Sequence, residues 1–351
     1  MNTNVTNRRT EGKLTDALLI LDCGLPTQQS FQGRITGLNG LVFEGVPINP
    51  PGRTRSRTVR VTNIRANPAG LGIPTGTAEF PEPEVRAAIS IRGPAPVVVM
   101  SSVVLLGSPL LGLVLRMRGP NDAEGRLPNM FQDAADRNEA LAADPTRTDA
   151  VSHVSIRFKE GYADAFRTAS REAAKTGATA KALVTGTRFL VRFYGVPDHV
   201  QVFVTTRDMI PVSVERSAAV AVKAVLVSGT DSNGGGGVVP APGVVPVGTG
   251  GSTVGVPIDR VRVSGGFGLA VWEWVSNDPN SPVTVEDVTF AILFAAERGH
   301  KPKGFIRMSG SLAPISTVTT SSDVSVPVPR FIDTGSTRTV FALTGERTPG
   351  A

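Results

Sequence analysis

The sequence predicts an all-β chain of two β-sandwich domains, immunoglobulin-like or jelly-roll-like, with one short amphipathic helix. Three observations carry that expectation. Short runs rich in Val and Thr recur along the 351 residues, as half-buried strands require. The 38 Gly and 27 Pro sit largely between those runs, where turns need them. Long Ala/Leu/Glu/Lys stretches of helical period are absent, apart from one segment beginning near residue 162. A hydrophobic share of 40% with 19% charge excludes a wholly disordered chain, and glycine without a three-residue period excludes collagen. At about 100 to 200 residues per domain the length corresponds to two domains. Composition places an N-terminal sandwich at 1–120, a connector at 121–150 and a C-terminal sandwich at 151–345, the last carrying a Gly/Pro-rich apolar arm at 229–257.

In the first domain the strands are ALLILD (17–22), FQGRIT (31–36), GLVFEGV (40–46) and RTVRVTNIRA (57–66), and Asn39-Gly40 signals a tight hairpin. Period two places Arg53, Arg55, Arg57, Val59 and Val61 on one strand face. The valines are expected to enter the core. The arginines extend beyond the sheet, either as a solvated edge that discourages pairing or as a docking face for an acidic partner such as another copy. Residues 93–115, GPAPVVVMSSVVLLGSPLLGLVL, carry no charge over 23 positions, a length that could span a bilayer. Pro94, Pro96, Pro109 and the Gly107-Ser108-Pro109 break favour a buried hairpin instead, VVVMSSVVLL against LLGLVLRMR, and no membrane span is expected.

The connector is polar and acidic, with a helical turn in FQDAADRNEALAAD. After the strand VSHVSIRFKE (151–160), YADAFRTASREAAK places Tyr162, Ala165, Phe166, Ala169 and Ala173 on one helical face. Strands resume at TRFLVRFYGV (187–196), HVQVFVTT (199–206) and SAAVAVKAVLV (217–227). The arm at 229–257 holds 10 Gly, 4 Pro and one charge in 29 positions. It reads as a flexible linker or, being apolar through Val239, Val244 and Val245, as a strip that lies along a neighbouring surface or adds a strand to another subunit. DRVRVSG, GLAVWEWVS, VTVEDVTFAILFAA, GFIRMSG, SVPVPRFI and TRTVFALT follow as strands. The last of these, 338–344 with Val340 and Phe341, is short enough for an edge or an exchanged strand.

Candidate chemistry is sparse. His153, His199 and His300 lie far apart and outside metal-binding spacings. Cys23 alone forms no intrachain disulfide and reads as a small buried hydrophobe. Nucleophile-elbow, phosphate-loop and dinucleotide motifs are absent, so no catalytic residue and no cofactor is expected. Asp231-Ser232-Asn233-Gly234 opens like a calcium loop but lacks its later ligands, and reads as a turn. The net charge of +6 is concentrated in residues 1–120, with 13 basic and 7 acidic side chains, and arginine outnumbers lysine 29 to 7. Without a nucleic-acid motif or interleaved aromatics, that balance suits contacts to carboxylates rather than nucleic acid. Trp272 and Trp274 share one strand face, which serves either an aromatic core or a sugar-stacking platform.

NTNVTNR, DALLILD, SFQGRITGLNGLVFEGVPINPPG, RTVRVTNIRANPAGLG, GTRFLVRFYGVPDHVQVFV, LAVWEWVSNDPNSPVTVEDVTFAILFAA and SVPVPRFID together resemble the pattern of large uncharacterised secreted β-rich proteins of Acidobacteria of the Solibacter type. The resemblance implies export to the medium or cell surface and a β-sandwich architecture, and it implies no reaction. Family members carry a leader and further strands ahead of the point matching Met1. An unfinished first hairpin would leave a sheet edge open to a strand from elsewhere. The resulting expectation is a non-enzymatic extracellular subunit that polymerises with itself by strand exchange into a filament or surface layer. Its donor candidates are residues 1–7 with Asn4 and Val5, 238–247, and 338–344. The alternatives are an adhesin or carbohydrate-binding module that meets cell-surface glycans through Trp272 and Trp274, and a virion shell or tail protein.

Overall fold

The computed structural model describes residues 1–49 apart from 11 and 13, 56–71, 83–118 apart from 95 and 96, 154–176, 184–209, 222–241, 252–279 apart from 254 and 255, 283–296, 304–332 apart from 317, 319, 321–325 and 327, and 337–342. The expected connector with its helical turn lies outside them. The protein is all-β, with several antiparallel sheets and one α-helix among the described residues. It divides into two compact units: Met1–Leu111 with Ala173–Leu183 and Ser316–Val328, and Gly112–Glu172 with Val184–Ile315 and Pro329–Ala351.

The first unit contains β1 (Asn4–Val5), β2 (Leu14–Leu21), β3 (Gln29–Thr36), β4 (Gly40–Val42), β5 (Val59–Thr62), β6 (Ala66–Asn67), β7 (Val85–Ala88) and β8 (Val103–Gly107). They form a four-stranded sheet in the order β4-β3-β2-β5 and two ribbons, β1-β6 and β7-β8. Period-two alternation in β2 buries Thr15, Ala17, Leu19 and Leu21. The β3–β4 hairpin forms where Asn39-Gly40 predicts one, but Gly37, at φ +62°, supplies the left-handed residue, and Gly40 already pairs with Thr36. Val59 and Val61 correct the expectation for β5. They are 46% and 42% exposed, because β5 is a four-residue edge strand with no described element over it.

The second unit holds β9 (Leu113–Arg118), β10 (Val154–Glu160), β11 (Arg188–Tyr194), β12 (Val200–Thr205), β13 (Ala224–Leu226), β14 (Ser228–Thr230), β15 (Gly236–Val238), β16 (Ser252–Thr253), β17 (Val256–Arg260), β18 (Val263–Ser264), β19 (Phe267–Trp274), β20 (Asp287–Ala296), β21 (Phe305–Ala313) and β22 (Thr337–Ala342). One sheet runs β16-β17-β12-β20-β10-β9 and the other β13-β19-β11-β21-β22, with β18 on β19. Their facing side chains share one core. Phe158 of β10 meets Phe189 of β11 at 5.0 Å between ring centroids, and Trp272 of β19 stacks on Phe290 of β20 at 4.1 Å. Tilted and stacked pairs of this kind add to the burial of large apolar surfaces.

The uncharged stretch does not form a buried hairpin. β8 pairs with β7, whereas β9 pairs with β10, in different units. The alternation explains the separation: Leu113, Leu115 and Met117 direct one face of β9 to the shared core, while Val103 to Leu106 are apolar on both faces and match no single interior.

The helix, α1 (Ala169–Thr176), is shorter than its periodicity suggests. Tyr162, Ala165 and Phe166 precede it in a loop where Asp164 sits at φ +69°. The Phe166 amide donates to the buried Glu160 Oε1 at 2.5 Å, and its ring packs against Phe189 and Trp274. A core anchor therefore draws this segment out of helical geometry. Thr168 Oγ1 then accepts from the Arg171 amide as an N-cap.

The outer face of β19 and β11 is buried as well at the end that carries Arg188 and Glu273. Leu190, Val271 and Ala313 form a second apolar cluster with Val227 and Ile315, and Val239 packs against it. Within this layer Arg188 and Glu273, 2% and 4% exposed, pair at 2.8 Å (Nε to Oε2). Glu273 Oε1 accepts from the Gly186 amide, and Arg188 Nη1 donates to the carbonyls of Gly234 and Gly236 in the β14–β15 hairpin. Asp231 closes that hairpin by accepting from the amides of Asn233 and Gly235 through Oδ1. The first part of the glycine-rich arm is thus fastened to its own sheet.

Candidate assembly surface

The ribbon β7–β8 and the loop between them form an apolar surface exposed to solvent. Val98 is 81% exposed, Met100 93%, and Val103 and Leu105 59% each, with Leu106, Leu110 and Leu111 also exposed. Apolar exposure concentrated in one uncharged stretch, in contrast to the scattered surface hydrophobes every protein carries, is the pattern of an interaction site. No Asp, Glu, Lys or Arg occurs between Gly93 and Leu115. The charges beside it are on the β7 side, where Glu84 pairs with Arg86, and at the exposed Arg92 early in the loop.

The two edges of the ribbon differ. On the β7 side, Asn2 takes the place of a third strand: its amide donates to Arg86 O at 3.1 Å, its Oδ1 accepts from the Arg86 amide at 2.9 Å, and its Nδ2 donates to Glu84 O at 2.8 Å. The β8 edge has no strand beside it among the described residues. Such an edge, apolar and without a lysine, proline or charge to blunt it, is a template for strand addition.

The other expected contact residues are distributed as follows. Asn4 and Val5 pair with Asn67 and Ala66, Val5 is 1% exposed, and the Val5 amide donates to Leu38 O, so residues 1–7 are engaged within their own unit. Arg57 holds a turn: Nε and Nη2 contact the Asp22 carboxylate, at 2.9 Å for Nη2, and Nη1 donates to Pro47 O. Burial beneath Arg57 makes Asp22 a structural partner, which corrects the picture of an arginine reaching outward. Arg53, Arg55, Val244 and Val245 lie outside the described residues. Val239 packs on the outer cluster. Val340 and Phe341 pair through their backbones with Arg307 and Ile306, making β22 the outer strand of its sheet within one chain.

Trp272 and Trp274 are 0% exposed, which corrects the sugar-platform reading: indoles sealed against Phe290, Phe189 and Phe166 present no face to a ligand. The Trp272 Nε1–H donates to Thr205 O at 2.7 Å, deep in the core. Cys23, expected to be buried, is exposed. The described titratable groups form no His/Cys/Asp/Glu cluster able to hold a metal ion.

Sequence reasoning found the uncharged stretch but assigned it to the interior. The run of consecutive apolar residues at 103–106 resembles that of the almost wholly buried β20, and only the pairing of β8 with β7 distinguishes them. A strand with one buried face would have alternated. No family model matches the chain, and no curated protein and no solved structure matches it either.

Proposed function

We propose that this chain is a non-enzymatic structural subunit that associates with copies of itself at the cell exterior, building a filament or surface layer through strand exchange or strand addition. The exposed, uncharged stretch at 93–111, with a β8 edge that no described strand covers, supports the reading, since burying it against another chain removes apolar surface from water at about 25 cal/mol per Å². A rigid core built from two facing sheets suits a load-bearing subunit. Export rests on the resemblance of the strand segments to secreted β-rich proteins.

Electron microscopy and sedimentation velocity of the purified full chain test the proposal, beside a variant in which Val97 to Leu106 are replaced by Ser and Gly. The reading expects polymers from the native chain and a collapse to small species in the variant. Monomers at high concentration in both would overturn it.

A further inference from the structure

The β8 edge identifies its own partner. Accepting the reading of self-association, we propose that β8 pairs with β8 of a second copy, antiparallel, about a two-fold axis at Val104. The ribbon thereby becomes a four-stranded sheet continuous across two chains, a closed pair that a second contact elsewhere on the chain links into any longer assembly.

Hydrogen-bond alternation sets this register. Ala88 pairs with Val103, Ala87 with Val104 and Arg86 with Leu105, and the Ile89 amide donates to Ser102 O at 2.6 Å. In an antiparallel ladder inward- and outward-turned residues alternate. Ser102 and Val104 therefore bond toward β7, while Val103 and Leu105 turn their N–H and C=O groups to the open side. Arg86, opposite Leu105, agrees: its carbonyl faces away from β8 and accepts from Asn2. A register irregularity between Val85 and Arg86 returns Gly107 to the β7 side, opposite Val85. Among the described residues, the groups left without a strand partner are thus those of Val103 and Leu105. Centring the two-fold on Val104 brings Val103 of each copy opposite Leu105 of the other, where they exchange N–H···O=C bonds in both directions.

Charge selects a second copy over another occupant. At this two-fold contact a charge at position 104 would meet its own copy, and charges of one sign at 103 and 105 would face like charges. The uncharged stretch 93–115 incurs no such repulsion, and it offers an acidic or basic peptide no complement. Val103 and Leu105, each 59% exposed, would then cover one another on one face of the joined sheet.

A charge-swap experiment on the full chain tests the pairing by sedimentation. The double variants Val103→Lys with Leu105→Lys, and Val103→Glu with Leu105→Glu, should each weaken association by about tenfold or more, since like charges then face each other. An equimolar mixture of the two should restore it. Because both side chains are exposed, the folded core and its tryptophan emission should be unchanged. In a Cys23→Ser background, Val104→Cys should form a disulfide dimer under mild oxidation, because residues in a non-hydrogen-bonded pair lie about 4.5 Å apart. Loss of association in both charge variants without rescue on mixing would refute the two-fold while keeping the ribbon as a contact. Undiminished association in both would place the contact elsewhere and leave self-assembly standing. A native chain that stays monomeric would overturn both readings, and one that instead floats with phosphatidylcholine vesicles would assign the ribbon to a lipid surface.

Discussion

Replacing Glu273 by Ala should be among the most damaging single changes in the protein. Glu273 is 4% exposed, and its two oxygens serve the Gly186 amide at 2.9 Å and Arg188 Nε at 2.8 Å. Removing it leaves the Arg188 guanidinium, 2% exposed, with only the carbonyls of Gly234 and Gly236 as partners. An uncompensated buried charge costs about 3–5 kcal/mol. A domain of ordinary stability, about 5–15 kcal/mol, would lose a large fraction of it. Urea denaturation followed by tryptophan emission is a suitable assay, because Trp272 and Trp274 flank the substituted residue and are fully buried. Substituting both partners, Arg188→Met with Glu273→Met, should recover much of the loss, since no charge is stranded. Hydrogen exchange at 228–238 should nevertheless rise, because the hairpin loses its guanidinium donor. A loss below about 1 kcal/mol for Glu273→Ala, with an unchanged denaturant slope, would refute the argument.

Other substitutions follow from the same structure. Burial pushes the Asp208 carboxyl above its ordinary value of 3.8, against the pull of the Ala224 and Lys223 amides. The folded state therefore holds that proton more tightly than the unfolded chain does. Its contribution to stability is greatest below the ordinary value and declines as pH rises toward the elevated one. Asp208→Asn should flatten that segment of the stability–pH curve, measured by thermal melts across acidic pH. Gly310→Ala should cost about 1–3 kcal/mol in denaturant unfolding, because the added Cβ would lie 2.7 Å from Leu115 Cδ2 and 3.2 Å from Ile156 Cδ1. Arg57→Ala should loosen the turn it holds with a small loss of stability, since its partner Asp22 is buried but the guanidinium is partly solvated. The effect should be read as faster hydrogen exchange in residues 22–28, with the second unit unaffected.

Strand character was legible wherever a strand has one wet and one dry face. β2 alternates as its sequence does, and β10 buries Val154, Ile156 and Phe158 in register. Legibility ended where context overrides pattern. Glu273 lies between two tryptophans on the opposite strand face, and nothing local in the sequence names Arg188, 85 positions away, as its buried partner. Phe166 fits a helical stripe, but the carboxylate of Glu160 captures its amide and holds the loop open. The candidate site was half legible. Its lack of charge was visible from composition, whereas its exposure depended on whether β8 and β9 pair with each other.

The sequence by itself determined the all-β class, the positions of most strands and the location of the uncharged stretch, because turn residues and side-chain alternation are local properties. Tertiary structure decided which strands are neighbours, that both faces of β19 are covered, and that Val97 to Leu111 stay outside. Pairing between distant strands depends on matching whole faces, and a face is completed only when residues remote in sequence come to cover it.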